Sequence, residues 1–230
     1  MITVPVRQIT HSTPRTRILN LDVRAAEFSF SAGQAVMLGL SGSPLRKPYS
    51  IASAPWEVQK SGVMQLLVQI DSGGLDPHLE LAAPGTPLDL DGPFGSFALP
   101  ARIDRPMLFI AGGTGIAPLR SMLIEHLSRP TRHPVALVYS ARSVDEFAFR
   151  VELSALESAG RITSYFTVTR DERVDWIGRR GRISGELLKE ALPSNESICL
   201  ICGPPQLVSD SRALLAQLGV ADEQILIEKY

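Results

Sequence analysis

The chain has 230 residues, 44% apolar and 20% charged, with a formal net charge of −1. That length suits one large domain or two of ordinary size, each able to bury a core, and the near-neutral charge offers no basic face to nucleic acid. No apolar run nears the roughly 20 residues that span a bilayer, and Met1-Ile-Thr-Val-Pro-Val-Arg7 lacks the basic start and apolar stretch of a signal peptide, so no membrane span and a cytoplasmic location are expected.

Up to about residue 100 the texture is all-β. Ile2–Ile9, Thr16–Val23 and Val63–Ile70 alternate in part, and Gly33–Leu40 and Thr86–Asp91 add two shorter strands. Gly and Pro punctuate them at 41–44, 71–74 and 83–85, which predicts a small antiparallel barrel. Asp76-Pro77-His-Leu-Glu-Leu81 reads as one helical turn, with Asp76 as N-cap and Pro77 in the first helical position. Arg46-Lys47-Pro48-Tyr49-Ser50-Ile51-Ala52-Ser53 offers a cation for a phosphate, an aromatic face for stacking and a hydroxyl for a ring nitrogen. Read bare, the same string is what an ordinary surface strand carries.

Beyond Pro100 apolar strands alternate with helices. The strands are Met107–Ala111, Val135–Tyr139, Ile162–Val168, Ser197–Cys202 and Gln224–Ile227; the helices are Pro118–Leu127, Val144–Ser158, Gly185–Ala191 and Pro205–Leu218. This βαβ rhythm predicts a parallel sheet covered by helices on both faces. Domains are expected over 1–100 and 101–230. The first strand runs into Gly112-Gly113-Thr114-Gly115 and then a helix. Glycines let the backbone approach a ligand closely, and a helix N-terminus offers free N–H groups and about half a positive charge. Such a turn suits a phosphate, and a plain tight turn can look the same.

Cys199 and Cys202 are the only cysteines. On a strand, residues three apart face opposite ways, which argues against a redox dithiol or half a zinc site. His11, His78, His126 and His133 are scattered, and the four thiolates of an iron–sulfur cluster are absent, so no metal is expected.

Taken in order, Lys47-Pro48-Tyr49-Ser50, Gly92-Pro93-Phe94-Gly95-Ser96-Phe97, Gly112-Gly-Thr-Gly-Ile-Ala-Pro118 and Cys202-Gly203-Pro204-Pro205 resemble the motifs of the ferredoxin–NADP(+) reductase family across nearly the whole chain. The ending Glu228-Lys229-Tyr230 is similar to the Glu-x-Tyr of plant-type members. The resemblance implies a flavin-binding antiparallel β-barrel followed by a nucleotide-binding α/β domain with a parallel sheet. It implies FAD rather than FMN, with NADPH or NADH as substrate, and a nicotinamide that meets the flavin in a cleft between the domains.

It also implies roles. Arg46, Lys47 and Pro48 lie at the flavin phosphate, with Lys47 standing where the family has Arg and so losing the bidentate fork. Tyr49 packs on the isoalloxazine and Ser50 lies near N5. Gly73 and Gly74 lie near the flavin phosphates, where Asp76 departs from the family's Ser or Thr. Gly113, Thr114, Gly115 and Pro118 hold the dinucleotide pyrophosphate, and Ser140, Arg142, Thr169 and Arg170 the adenosine end. Thr169-Arg170 resembles the pair that meets a 2′-phosphate, whereas Val174-Asp175-Trp176 replaces Lys-x-Tyr and loses a cation. That balance points to NADPH. Cys202, Gly203 and Pro204 line the nicotinamide pocket, Glu228 supports it electrostatically, and Tyr230 is a movable lid. Ser50, Cys202, Glu228 and Tyr230 thus form the catalytic set. Arg179, Arg180 and Arg182 read as a solvated basic loop or a docking patch.

With no cluster of its own, the chain would pass electrons to a separate ferredoxin, flavodoxin or oxygenase component. Alternatives are an NAD(P)H:flavin reductase that treats flavin as a substrate, and a non-catalytic electron-relay or regulatory subunit.

Overall fold

The computed structural model describes residues 1–70, 79, 82–100, 102–130 and 132–229. Backbone packing divides the chain into two units, one of residues 1–99 with 120–129, the other of 100–119 with 130–230.

The first unit is a six-stranded antiparallel sheet of β1 (Ile2–Thr13), β2 (Thr16–Asp22), β3 (Ala35–Leu40), β4 (Lys47–Ser50), β5 (Val63–Gln69) and β6 (Pro87–Phe94), in the order β4-β3-β6-β1-β2-β5. Just past β4, Ile51 bridges Leu66 and Ala52 N–H donates to Gln65 O at 2.8 Å, which closes the sheet into a barrel. The interior is built by alternation: Val4 and Val6, Leu19 and Leu21, Val36 and Leu38, Leu88 and Leu90 point inward and are fully shielded. Gly33 has φ +101°, and a Cβ there would lie 2.4 Å from Phe97 O, so no larger residue fits this turn.

Helix α1 (Pro55–Ser61) is absent from the expectations above. Its caps were legible: Pro55 stands at the first position and Gly62 closes the end at φ +67°. Seven residues with one buried side chain, Val58, leave too short an apolar period to read. Within this unit Glu57 accepts the Ala54 N–H at 2.8 Å and pairs with both Arg120 Nη atoms, at 2.9 and 3.1 Å. Arg120 also donates to Ala52 O, and its side chain is only 5% exposed.

The second unit is a wholly parallel sheet of β7 (Met107–Gly112), β8 (Val135–Ala141), β9 (Thr163–Val168), β10 (Arg179–Arg180), β11 (Ile198–Gly203) and β12 (Ile225–Lys229), ordered β10-β9-β8-β7-β11-β12. A 3₁₀ turn over Gly113–Gly115 leads into α2 (Ile116–Leu127), which thus begins earlier than Pro118. The continuous helix expected over Val144–Ser158 is instead a 3₁₀ turn at Val144–Glu146 and then α3 (Arg150–Ser158). The break lets the Phe147 ring drop edge-on against Tyr139 at 5.0 Å and Phe166 at 5.1 Å, with Phe149 left at φ +58°. Helices α4 (Gly185–Ala191) and α5 (Pro205–Gln217) follow closely the reading from periodicity. The turn expected at Asp76–Leu81 lies outside the described residues except for the buried Leu79.

Replacing Arg120 with Ala strips the partner from a largely shielded Glu57 carboxylate. Denaturant titration should show a loss of about 3 kcal/mol, and Glu57→Gln in the same background should recover part of it.

Candidate functional site

Strand order changes direction at β7, whose neighbours are β8 on one side and β11 on the other. In open α/β sheets this switch point opens a crevice beyond the carboxyl ends of the strands, and helix N-termini face it. The Gly112–Gly115 turn and the Cys202-Gly203-Pro204 turn lie at those ends. They touch backbone to backbone: a Cβ on Gly115 would meet Cys202 O at 2.3 Å, and one on Gly203 would meet Gly112 N at 3.1 Å. Gly115 is therefore demanded by packing, and Gly113, at φ +54°, is exposed beside the half-exposed Thr114. Pro118 is buried in the first turn of α2, where its missing N–H leaves no bond unmade. Pro204, exposed, precedes Pro205 at the start of α5.

Parallel pairing sets Cys202 directly beside Glu228 on the same face of β11 and β12. The Cys202 thiol donates to Glu228 Oε2 at 3.7 Å. Burial first, and then the neighbouring carboxylate, push the Cys202 thiol far above its ordinary value. Burial likewise raises Glu228, partly offset by the bond from Cys202. Cys199 faces the opposite side of the sheet, donates to Ser197 O at 3.7 Å and is pushed up to about 12 by burial.

At the ends of β8 and β9, Arg170 N–H donates to Arg142 O at 2.8 Å, which sets these two exposed arginines side by side. Neither forms an ion pair among the described residues. Thr169 spends its hydroxyl on Ala141 O at 3.3 Å, and Ser140 is buried. Two of the acids nearby, Asp171 and Asp145, are occupied. Asp171 accepts from Arg173 at 2.7 Å and from Val144 N–H at 2.8 Å, which holds its carboxyl well below the usual range, and Arg173 also reaches Asp145 at 3.1 Å. Trp176 is spent on the loop itself: its indole N–H donates to Arg179 O at 3.0 Å, and the Arg150 guanidinium lies 5.2 Å from its ring centre. Of the three arginines read as a solvated or docking patch, Arg179 pairs with Glu190 and Arg180 donates to the carbonyls of Asp171, Arg173 and Trp176. Arg179 thus ties the loop to α4, and Arg180 holds the loop together.

In the barrel, β4 ends the sheet order and pairs with β3, placing Ser50 opposite Ala35 and Tyr49 opposite Val36. Tyr49 packs against the barrel core and Ser50 is half-buried; Lys47 is half-buried and Pro48 exposed. Arg46 reaches Asp89 Oδ2 at 3.4 Å. Asp89 also accepts from Thr3 Oγ1 at 2.8 Å and Gly42 N–H at 3.2 Å, and these donors hold it below its ordinary value. Arg46 is thus tied to the barrel wall, which the sequence reading did not foresee because its partner stands 43 residues away. Gly73, Gly74, Asp76 and Tyr230 lie outside the described residues.

Two families match the chain: Oxidoreductase FAD-binding domain over residues 3–99 and Oxidoreductase NAD-binding domain over 109–213. A ferredoxin–NADP reductase B of Sorangium cellulosum is 34% identical over 214 residues, 88% of this chain and 86% of the relative. The toluate 1,2-dioxygenase electron transfer component of Pseudomonas putida is 29% identical over 98% of this chain, which spans only 65% of that relative. Among solved structures, a cytochrome P450 reductase of Amycolatopsis superposes with a TM-score of 0.86 at 26% identity, over 99% of this chain and 68% of that one. A ferredoxin NADP+ reductase from Neisseria gonorrhoeae, solved with bound FAD and NADP, shares the fold with a TM-score of 0.78 at 24% identity, over 99% of this chain and 98% of that one.

Since both thiols are buried and shifted upward, iodoacetamide at pH 8 should leave Cys199 and Cys202 unmodified in the folded protein and alkylate both in denaturant, as mass spectrometry would read. Rapid labelling of Cys202 in the native state would contradict the geometry.

Proposed function

This chain belongs to the ferredoxin–NADP reductase family of FAD- and NAD(P)-binding oxidoreductases, and from that premise we propose that it takes hydride from NADPH onto FAD and passes the electrons singly to a separate protein, a ferredoxin, a flavodoxin or an oxygenase component. The observation that carries the reading is the register of β7, β11 and β12, in which a glycine turn, Cys202 and Glu228 share one end of a parallel sheet. Relatives named as a ferredoxin–NADP reductase and as oxygenase electron transfer components support a separate acceptor. So does the cysteine count, which allows no iron–sulfur cluster in this chain.

The residues present fit both groups. Gly113 and Thr114 present backbone to a pyrophosphate at the head of α2, and Arg142 and Arg170 offer paired cations to a 2′-phosphate while Asp145 and Asp171 are held by Arg173. In the barrel Lys47 supplies a cation, Tyr49 an aromatic face seated on the core and Ser50 a hydroxyl. Bound FAD supplies the hydride-accepting and one-electron-releasing chemistry that no side chain has. The protein orients and tunes. Cys202 stays a neutral thiol that shapes the nicotinamide pocket without competing as a nucleophile. Glu228 places a carboxylate where the nicotinamide ring gains positive charge as hydride leaves, an effect felt in the transition state. Tyr230 is the proposed lid, and Tyr230→Ser should then tighten nicotinamide binding; unchanged affinity would remove it from that role.

One observation favours the second reading, in which flavin is a dissociable substrate: Arg46 is engaged by Asp89. Colour after gel filtration separates the two, since a bound cofactor leaves the protein yellow.

Anaerobic titration of the yellow protein should bleach the flavin, and at lower concentrations of NADPH than of NADH. Absence of bleaching would support the relay-subunit alternative. One charge-assisted bond is worth about 1.5–3 kcal/mol, so Arg170→Ala should cut the NADPH preference by about 10- to 150-fold and leave NADH nearly untouched. Because burial raises the Glu228 pKa, its carboxylate protonates at a higher pH than an ordinary glutamate does. Hydride transfer should therefore slow as pH falls through that pKa, and Glu228→Gln should be slower by about tenfold and flat over the same range.

A further inference from the structure

Tyr139, near the end of β8, is fully buried, yet its hydroxyl reaches a turn on the neighbouring strand. It donates to Gly113 O at 3.0 Å and accepts from Ala148 N–H at 3.2 Å. The Gly113 carbonyl also takes the Ile116 N–H that closes the 3₁₀ turn. A trans peptide directs its N–H opposite to its C=O. Two donors that pin the Gly113 carbonyl inward therefore turn the Thr114 N–H outward, toward the mouth of the crevice. The turn needs such a pin. Glycines at 112, 113 and 115 leave the backbone several accessible states, and a ligand that accepts only one of them binds in proportion to its population. The pin is itself stiff: the Tyr139 ring lies edge-on to Phe147 and 6.2 Å from Phe166, so the hydroxyl cannot swing away.

We propose that Tyr139 is a positioning residue for the dinucleotide: its hydroxyl holds the Gly113–Thr114 peptide in the orientation whose N–H meets the pyrophosphate, without itself touching the nucleotide. The proposal rests on the reading of Gly113–Gly115 as the pyrophosphate turn, and it also accounts for the break in the helix expected over Val144–Ser158. The bend that seats Phe147 on the Tyr139 ring brings Ala148 N–H to the same hydroxyl, where it orients the phenolic proton toward Gly113.

Tyr139→Phe in the FAD-loaded enzyme keeps the ring and its packing and deletes only the bond. The KM for NADPH should rise by about 3- to 10-fold, the range for one neutral hydrogen bond, while kcat at saturation changes by less than about twofold. Flavin reduction by N-benzyl-1,4-dihydronicotinamide, which carries no phosphate, should proceed at the wild-type rate and certifies that the variant is folded and flavin-loaded. A lowered thermal midpoint with an unchanged KM would make Tyr139 merely structural and overturn the proposal. So would an equal slowing with both hydride donors. Gly115→Ala separates this failure from that of the underlying reading, because its Cβ would collide with Cys202 O and distort the turn itself. If Gly115→Ala binds NADPH as wild type does, the pyrophosphate turn lies elsewhere. If it loses NADPH while Tyr139→Phe keeps it, the turn stands and only the pin is wrong.

Discussion

The nucleotide-binding end depends on one steric constraint: the backbone at Gly112–Gly115 lies against the backbone at Cys202–Gly203. With Gly115 within 2.3 Å of a carbonyl for any added Cβ, the glycines are needed first for packing strand ends together. That closeness follows from the strand order, since β7 and β11 are neighbours although 85 residues of chain lie between the end of β7 and the start of β11. Gly113, by contrast, stays exposed.

Charge is arranged with the same economy. Asp89 in the barrel and Asp171 in the α/β unit both collect donors and are held below their ordinary values, and each ties down an arginine that would otherwise be free to move. As pH falls through these depressed values the carboxylates protonate and the stabilisation they bring is lost, whereas above the usual carboxylate range it is fully present. The arginine partners stay partly exposed, so screening limits that contribution. At Cys202 and Glu228 the direction reverses. Burial raises both, the thiol stays protonated, and the pair joins two strands through a weak bond that leaves the carboxylate responsive to its surroundings.

Several elements were legible because they rest on local rules. The apolar runs of β7, β8 and β11 are buried on both faces, so their residue types alone betray a parallel sheet. Alternation in β1 and β2 did the same for the barrel. Helix α1 escaped because it is short, and the break at Phe147 escaped because helical spacing continues through it; only the location of Tyr139 and Phe166 in space makes that ring turn inward. Arg46 was read as a free phosphate ligand because nothing near it in sequence announces Asp89.

What the amino-acid order determined by itself is the alternation of element types, the glycine turns and the motif residues that reveal the family, since each is encoded within a few neighbouring positions. Only the tertiary structure decided which cations are spent and which remain, that Trp176 is hydrogen-bonded within its own loop, and that a tyrosine on one strand bonds to the turn that follows the next. Those outcomes turn on distances between residues far apart in the chain, and a one-dimensional pattern carries no information about them until the sheet register is set.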